Sequence, residues 1–373
     1  MNHSGESAAK ERTTLLFYIN TINGGGAARV LIQVAHHFAM AGYRSVLITS
    51  FVATEHEYAI PPDVIRRSLE EEQIQQSRIK RNLSRIQKLR RICKEEKPAA
   101  IISFMAEPNF RSVVAVTGLG IKRIISIRND PAREYRGMLG MITGKVLLPQ
   151  ADGCIFQTEA AKKWFPKRLQ RKSSVILNDV KEEFFALQHS GGRDIVTVGR
   201  LDSQKNHALL IHAFASIADK YPDRRLLIYG DGELKDATLC LIDSLQMKER
   251  IKLMGTTKDV ASVLQNAALF VLSSDYEGMP NCLMEALAAG VPCISTDCPC
   301  GGPGALIRDG ENGLLVQVQD KDAMTKAIDR LLSDPDYAER IGQEARIRAA
   351  QFHPDRIFPQ WKSYVEEVIH PNS

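Results

Sequence analysis

Short apolar runs alternate with amphipathic stretches along the whole chain, and this alternation limits the fold more than any other feature. The runs fall at residues 15–19, 45–48, 100–104, 123–127 and 153–156 in the first half. In the second half they fall at 195–198, 225–229, 251–254, 269–272, 293–295 and 313–316. Runs this short and β-prone read as buried strands, and helical patterns between them are the signature of a parallel sheet with crossover helices. Each half begins with a strand, a loop rich in glycine or charge, and then a helical pattern (28–41 and 208–220). Between the halves lies FFALQHSGGRD, residues 184–194, where Ser190-Gly191-Gly192 reads as a linker. The expected fold is α/β: two Rossmann-like, doubly wound parallel-sheet domains facing across a cleft. Residues 1–188 would form the first domain and 189–354 the second, with a last helix in 355–373 returning to cover the first.

Composition fits this reading. At 373 residues the chain is long enough for two domains, and its 44% hydrophobic and 25% charged residues are those of a soluble globular protein. No apolar run approaches the roughly eighteen residues that suggest a membrane-spanning helix. The opening apolar run, 15–19, is a strand and too short for a signal-peptide core. The seven cysteines (93, 154, 240, 282, 293, 298 and 300) show no paired disulfide spacing and read as thiols in a reducing cytoplasm. Cys298-Pro-Cys300 lacks the second pair of ligands that zinc would need. A net charge of +5 gives no support for a nucleic-acid partner.

The most informative stretch is SSDYEGMPNCLMEALAAGVP, residues 273–292. Residues 267–272 lead in as a strand, Gly278 and Pro280 punctuate a turn, and 281–288 reads as helix, stopped by Gly290 and Pro292. Glu277 would then sit in the strand-to-helix loop and Glu285 about one turn into the helix. That loop lies at the carboxyl edge of the sheet, where ligands bind in such folds. At the same edge, Arg200 and Lys205 follow the strand ending at Val198. Charged loop residues are ordinarily solvated surface. Here two cations and a helix amino terminus could hold a diphosphate without a metal. The helix carboxylate could accept from the vicinal hydroxyls of ribose, and the loop carboxylate from a sugar ring. A ligand containing ribose, diphosphate and hexose in that order is a nucleotide sugar.

Three further loops join the pattern. The first is YINTINGGGA, residues 18–27, whose consecutive glycines allow close approach to an anion, although a plain turn would look the same. It lacks the full dinucleotide pattern because Arg29 stands where a third glycine would fall. The second is Gly230-Asp-Gly-Glu233 and the third Asp297-Cys-Pro-Cys-Gly-Gly-Pro303. Asp334-Pro-Asp336 lies between late helices and reads as a helix cap, so no metal and no other cofactor are expected.

These motifs, in this order, resemble the retaining glycosyltransferases of family 4 with their two-domain GT-B fold, whose E-x7-E motif matches Glu277 to Glu285. The resemblance covers nearly the whole chain. It implies that Arg200 and Lys205 hold the donor diphosphate and stabilise charge on the leaving group, and that Glu277 positions the transferred sugar. It further implies that Glu285 binds ribose and that Met279, Asn281 and Cys282 complete the phosphate cradle. Gly199, Gly230 and Glu233 would line the donor site, and Gly25 and Gly26 would close over it from the first domain. Family members often carry a histidine in the stretch matching 126–131. Here the position is Arg128, which together with Asn129 would face phosphate or acceptor. The Glu-Arg pair that follows the glycine loop in many relatives is Ala28-Arg29 in this chain.

Residues 78–94, RIKRNLSRIQKLRRICK, hold eight basic residues and no acidic one, with Ile79, Leu83, Ile86, Leu89 and Ile92 at helical spacing. A solvated surface helix is one reading. The other is docking to an anionic membrane surface or a lipid-linked acceptor through Arg81, Arg85, Lys88 and Arg91. With the resemblance, this implies a peripheral, inner-face transferase moving a hexose or N-acetylhexosamine from a UDP-type donor to a lipid-linked oligosaccharide or surface-polysaccharide precursor. The rivals are a nucleotide-sugar epimerase, a dinucleotide oxidoreductase and a non-catalytic sugar-binding homologue.

Overall fold

The structure, a computed structural model, describes residues 12–54, 57–70 and 77–371. Two all-parallel sheets organise it. The first is built from β1 (Thr14–Ile19), β2 (Arg44–Thr49), β3 (Val64–Ser68), β4 (Ala100–Phe104), β5 (Lys122–Ser126), β6 (Gly153–Phe156) and β7 (Ser173–Val175), in the order β3-β2-β1-β4-β5-β6-β7. The second comprises β8 (Asp194–Val198), β9 (Leu226–Tyr229), β10 (Ile251–Gly255), β11 (Ala267–Leu272), β12 (Cys293–Thr296) and β13 (Leu314–Val316), in the order β10-β9-β8-β11-β12-β13. Both are Rossmann-like, and together they make the α/β GT-B architecture.

The central strands match the sequence expectation closely because helices cover both faces and nearly every residue is buried and apolar. β4 and β6 are buried at each position. The strands absent from the sequence reading, β3 and β7, are the two edges. β3 reads VIRRS and alternates buried with exposed, while β7 is only half-buried, so neither forms an apolar run. The helix expected over 208–220 ends at Ala215, followed by a 3₁₀ turn at Ala218–Lys220. Asp334 accepts from the Tyr337 amide at 3.0 Å and caps the helix Pro335–Ala349.

The last helix, Pro354–Ile369, packs against the first sheet. Its Ile357, Trp361 and Val365 are buried among Phe38, Phe104 and Ile124, with the Trp361 and Phe104 rings stacked at 5.9 Å. The Tyr364 hydroxyl accepts from the Cys154 amide at 2.7 Å and donates to the Lys172 carbonyl at 2.6 Å, fastening the helix to β6.

On one face of the first sheet lie α1 (Gly26–Met40) and this terminal helix. On the other lie α2 (Arg78–Glu96) and α3 (Ala106–Ala115). The basic helix α2 departs from its expected pattern. Leu89 and Ile92 enter the core and Ile86 is partly buried, but Ile79 and Leu83 are exposed. Arg85, expected on the cationic face, is instead buried. Its Nε donates to Glu70 at 2.7 Å and its guanidinium covers the Phe51 ring at 4.4 Å, because it stands one turn before Leu89 on the inward side. Arg81 and Lys88 are half-buried and Arg91 is exposed beside Glu95.

Candidate active site

The second sheet's carboxyl edge brings together three loops. After β8 the chain turns through Gly199 to Arg200, and after β9 through Gly230. A Cβ on Gly230 would lie 1.8 Å from the Gly199 carbonyl oxygen, so only glycine lets the two strand ends approach. The aliphatic part of Lys205 folds over Gly199, about 3.3 Å from where a Cβ would be.

Residues 204–206 are tied to the loop after β11 by paired bonds. The Asp275 amide donates to the Gln204 carbonyl at 2.9 Å, the Ser273 hydroxyl to the Lys205 carbonyl at 3.0 Å, and Asn206 Nδ2 to Asp275 at 2.8 Å. Asn206 also caps the helix His207–Ala215 from a left-handed conformation. This framework places Lys205 Nζ 2.5 Å from Glu277 Oε1. Ser274 donates to the same oxygen at 2.8 Å, and Gln204 Nε2 donates to Oε2 at 3.3 Å. Burial lowers the ammonium's proton affinity, but the Glu277 carboxylate beside it more than compensates and holds Lys205 above the ordinary lysine range. The result is a fixed cation touching a fixed carboxylate at the sheet edge. Arg200 is different: two-thirds of its side chain is exposed, and it pairs with Asp202 at 3.0 Å.

Glu277 leads through Gly278, Met279 and Pro280 into the helix Asn281–Ala288, whose first-turn amides begin a few residues from the pair. Met279 is buried, and burial pushes the Cys282 thiol up to about 11, so it is a neutral packing group. Glu285 is buried one turn further along. Burial pushes its carboxyl above the usual range, opposed by Arg29, which reaches across from α1 and hydrogen-bonds to it. Glu233 is exposed in the loop after β9.

The first domain meets this rim at several points. Asn281 Nδ2 donates to the Gly26 carbonyl at 3.2 Å, and Asn178 Nδ2 donates to Asn281 Oδ1 at 2.5 Å. Gly25, with φ of 85°, turns the chain into α1. A Cβ on Gly278 would lie 2.3 Å from the Arg128 carbonyl oxygen, so backbone meets backbone there. Arg128 is buried, covers the Phe104 ring at 4.4 Å and donates to Asn178; burial lowers its pKa to about 9, with Asp179 opposing. It braces the interdomain loop in this structure, and Asn129 accepts from the Asp130 amide at 2.9 Å. Both therefore spend polar atoms on local contacts at the cleft wall.

Lys205, Glu277, Gly199, Gly230, Met279, Asn281, Cys282 and Glu285 thus share one rim, with Arg200 beside them and Gly25, Gly26 and Arg128 facing it. The sequence reading missed Gln204 and Ser274, which hold Glu277, and Asn178, which joins the domains. It treated Arg29 only as a departure from pattern. A cation placed one turn into the helix opposite the E-x7-E helix was the available signal for its contact with Glu285.

Comparison with known proteins gives the family and the fold. Residues 179–348 match the family model described as glycosyl transferases group 1, and residues 24–183 match glycosyltransferase family 4. The chain belongs to the glycosyltransferases of GT-B fold. A Campylobacter jejuni alpha-1,4-N-acetyl-D-galactosaminyltransferase acting on a GalNAc-containing PP-undecaprenol is 27% identical, over 94% of this chain and 98% of its own. An exopolysaccharide phosphotransferase of Streptomyces coelicolor is 33% identical over 68% of this chain, which spans only 27% of that protein's length. Among solved structures, sucrose-phosphate synthase from Thermosynechococcus elongatus superposes with a TM-score of 0.86 at 19% identity, covering 97% of this chain and 100% of its own. Anabaena HepE in complex with UDP and glucose superposes with a TM-score of 0.82 at 18% identity, covering 95% and 99%.

Proposed function

We propose that this glycosyltransferase moves a hexose or N-acetylhexosamine from a UDP-sugar, with retention of anomeric configuration and without a metal, to a lipid-linked oligosaccharide or surface-polysaccharide precursor. The Lys205–Glu277 contact of 2.5 Å, at the rim of the cleft and just before a helix amino terminus, carries the reading. Lys205, held in place, and the exposed Arg200 supply positive charge for a diphosphate, and the helix amides add partial charge of the same sign. Glu277 takes sugar hydroxyls, and Glu285 takes ribose hydroxyls once Arg29 gives way. The bond between the anomeric carbon and the diphosphate oxygen breaks while the acceptor oxygen bonds to the same face, and the departing phosphate oxygen takes the acceptor proton. Residues 1–188 would serve the acceptor and 189–354 the donor.

The acceptor class is supported by the undecaprenol-linked substrate in the name of the Campylobacter relative. Among the described residues no helix is long and apolar enough to cross a membrane, so contact with such an acceptor would be made from the surface. Arg81, Lys88 and Arg91 on α2 would then meet anionic headgroups at the inner face of the cell membrane, without Arg85.

The deciding experiment incubates the enzyme with UDP-sugars and an undecaprenyl-diphosphate-linked saccharide, then assigns the product's anomeric configuration by NMR, with and without EDTA. An α-linked product from an α-linked donor, formed equally with the chelator, is the expected result. An inverted product, or conversion of the UDP-sugar with no acceptor present, would replace this reading by another.

A further inference from the structure

Hydrophobic exposure is concentrated on the first domain. Helix α4 (Pro131–Glu134) is followed by α5 (Gly137–Ile142) and then by a π-helical turn, Thr143–Leu147. Met138 and Leu139 are each 77% exposed, Met141 45%, Ile142 49% and Val146 60%. Five of the fifteen exposed large hydrophobic residues in the described chain therefore lie within nine consecutive positions. Solitary exposed apolar residues need no explanation, but a contiguous group marks a partner surface.

The element is seated firmly on its inner side. A Cβ on Gly140 would strike the Tyr135 backbone at 2.5 Å, and one on Gly144 would strike the Trp164 ring at 2.7 Å. Lys145 Nζ sits over that ring, 3.6 Å from its centroid, and Leu148 is buried. The outward apolar face is thus presented by tight glycine contacts, and Val146 in the π-helical turn is exposed as well.

Charge identifies the partner. Residues 135–151 contain no aspartate or glutamate. Arg136 just before the element and Lys163, Lys167 and Arg168 on the two short helices that follow β6 are exposed, with Glu159 the acidic residue there, and Arg168 reaches Gln150 just beyond the π-helical turn; Arg133 instead lies over the Tyr276 ring. The element also lies on the sheet face that carries α2, since α3 packs against both α2 and the π-helical turn. On that same face, Ile79 and Leu83 at the start of α2 are also exposed. An apolar centre with a cationic rim complements an anionic lipid leaflet, with acyl chains below and phosphates at the edge.

We propose that α5 and the π-helical turn form an insertion element that enters the headgroup–acyl boundary of an anionic bilayer, anchoring the first domain by its apolar side chains. It deepens the membrane-docking reading of α2 and rests on that reading for the choice of face. It differs in its physics: docking through α2 cations is weakened by salt, whereas apolar insertion is not.

The test uses the full chain and phosphatidylglycerol–phosphatidylcholine vesicles in co-sedimentation at low and high salt. Binding that persists at high salt is expected for the wild type. The combined Met138→Ser, Leu139→Ser and Ile142→Ser variant is expected to lose that component by about tenfold or more, as lost apolar area dictates. Its UDP binding should match wild type, showing intact folding. A Leu139→Trp variant should shift its emission to the blue on vesicles and be quenched by bromine-labelled acyl chains. Salt-resistant binding undiminished in the serine variant, or an L139W emission unaltered by vesicles, overturns the proposal. So does a lipid-free self-association that the serine variant abolishes while vesicle binding stays the same, because the face would then pair two copies. Neutralising Arg81, Lys88 and Arg91 tests α2 separately, since only the low-salt binding should fall.

Discussion

Lys205 and Glu277 neutralise one another in a buried setting, so neither can be removed without cost to folding as well as to chemistry. Deleting one partner of a buried pair costs about 3–5 kcal/mol. Arg200 is largely exposed and separates the two effects. Arg200→Ala is expected to lower turnover by about a hundredfold, the scale of losing one transition-state contact, with the melting temperature unchanged. Wild-type kcat in that variant would remove Arg200 from the site. Two other buried groups set opposing pH dependences. Burial lowers His207 to about 4, so between pH 4 and about 6.5 the unfolded chain binds a proton that the native state refuses, and stability rises with pH. Burial raises Glu134 to about 7, so between about 4.5 and 7 the native state holds a proton that the unfolded chain releases, and stability falls with pH. Glu134→Gln removes the second contribution. Its urea midpoint should therefore rise more steeply than wild type's from pH 5 to pH 7, and parallel curves would refute the assignment.

At the scale of elements, glycine decides how closely loops approach. Gly278 is the case that links the domains, because its backbone lies against that of Arg128. Gly278→Ala would put a methyl 2.3 Å from a carbonyl oxygen, and the loop bearing Glu277 would have to retreat. Turnover is expected to fall by about tenfold or more, since misplacing a reacting group by about 1 Å has effects of this order and larger. Each domain should still melt normally, as the clash lies between them. Unchanged kinetics would show that the wall gives way freely. The helix Asn281–Ala288 was fully legible beforehand because Pro280 and Gly290 bracket it. Helix α2 was legible as a helix, but not in its buried face: an arginine stands inside where periodicity put it outside, matched by Glu70 from another loop.

For the whole molecule, Arg29 and Glu285 provide a link between domains that the nucleotide would contest. Removing Arg29 favours separation in the donor-free protein, because the buried Glu285 loses its partner and regains water by opening the cleft. Arg29→Ala is expected to give a larger radius of gyration in small-angle scattering, reversed by saturating UDP. Identical scattering with and without the substitution would mean that Asn178, Asn281 and Gly26 suffice to hold the domains together.

The sequence alone determined the two parallel sheets, their central strands, the loops at their carboxyl edges and the acids and bases that those loops carry. It could do so because buried parallel strands are largely apolar along their length, and because glycine and proline punctuate turns locally. Edge strands β3 and β7 escaped, being half solvent-facing. Only the tertiary structure decided which charges face each other: Lys205 with Glu277, Arg29 with Glu285, Arg85 with Glu70. Such pairs join residues far apart in the chain, and a side chain's spacing along its own helix says nothing of the carboxylate that another element brings to meet it.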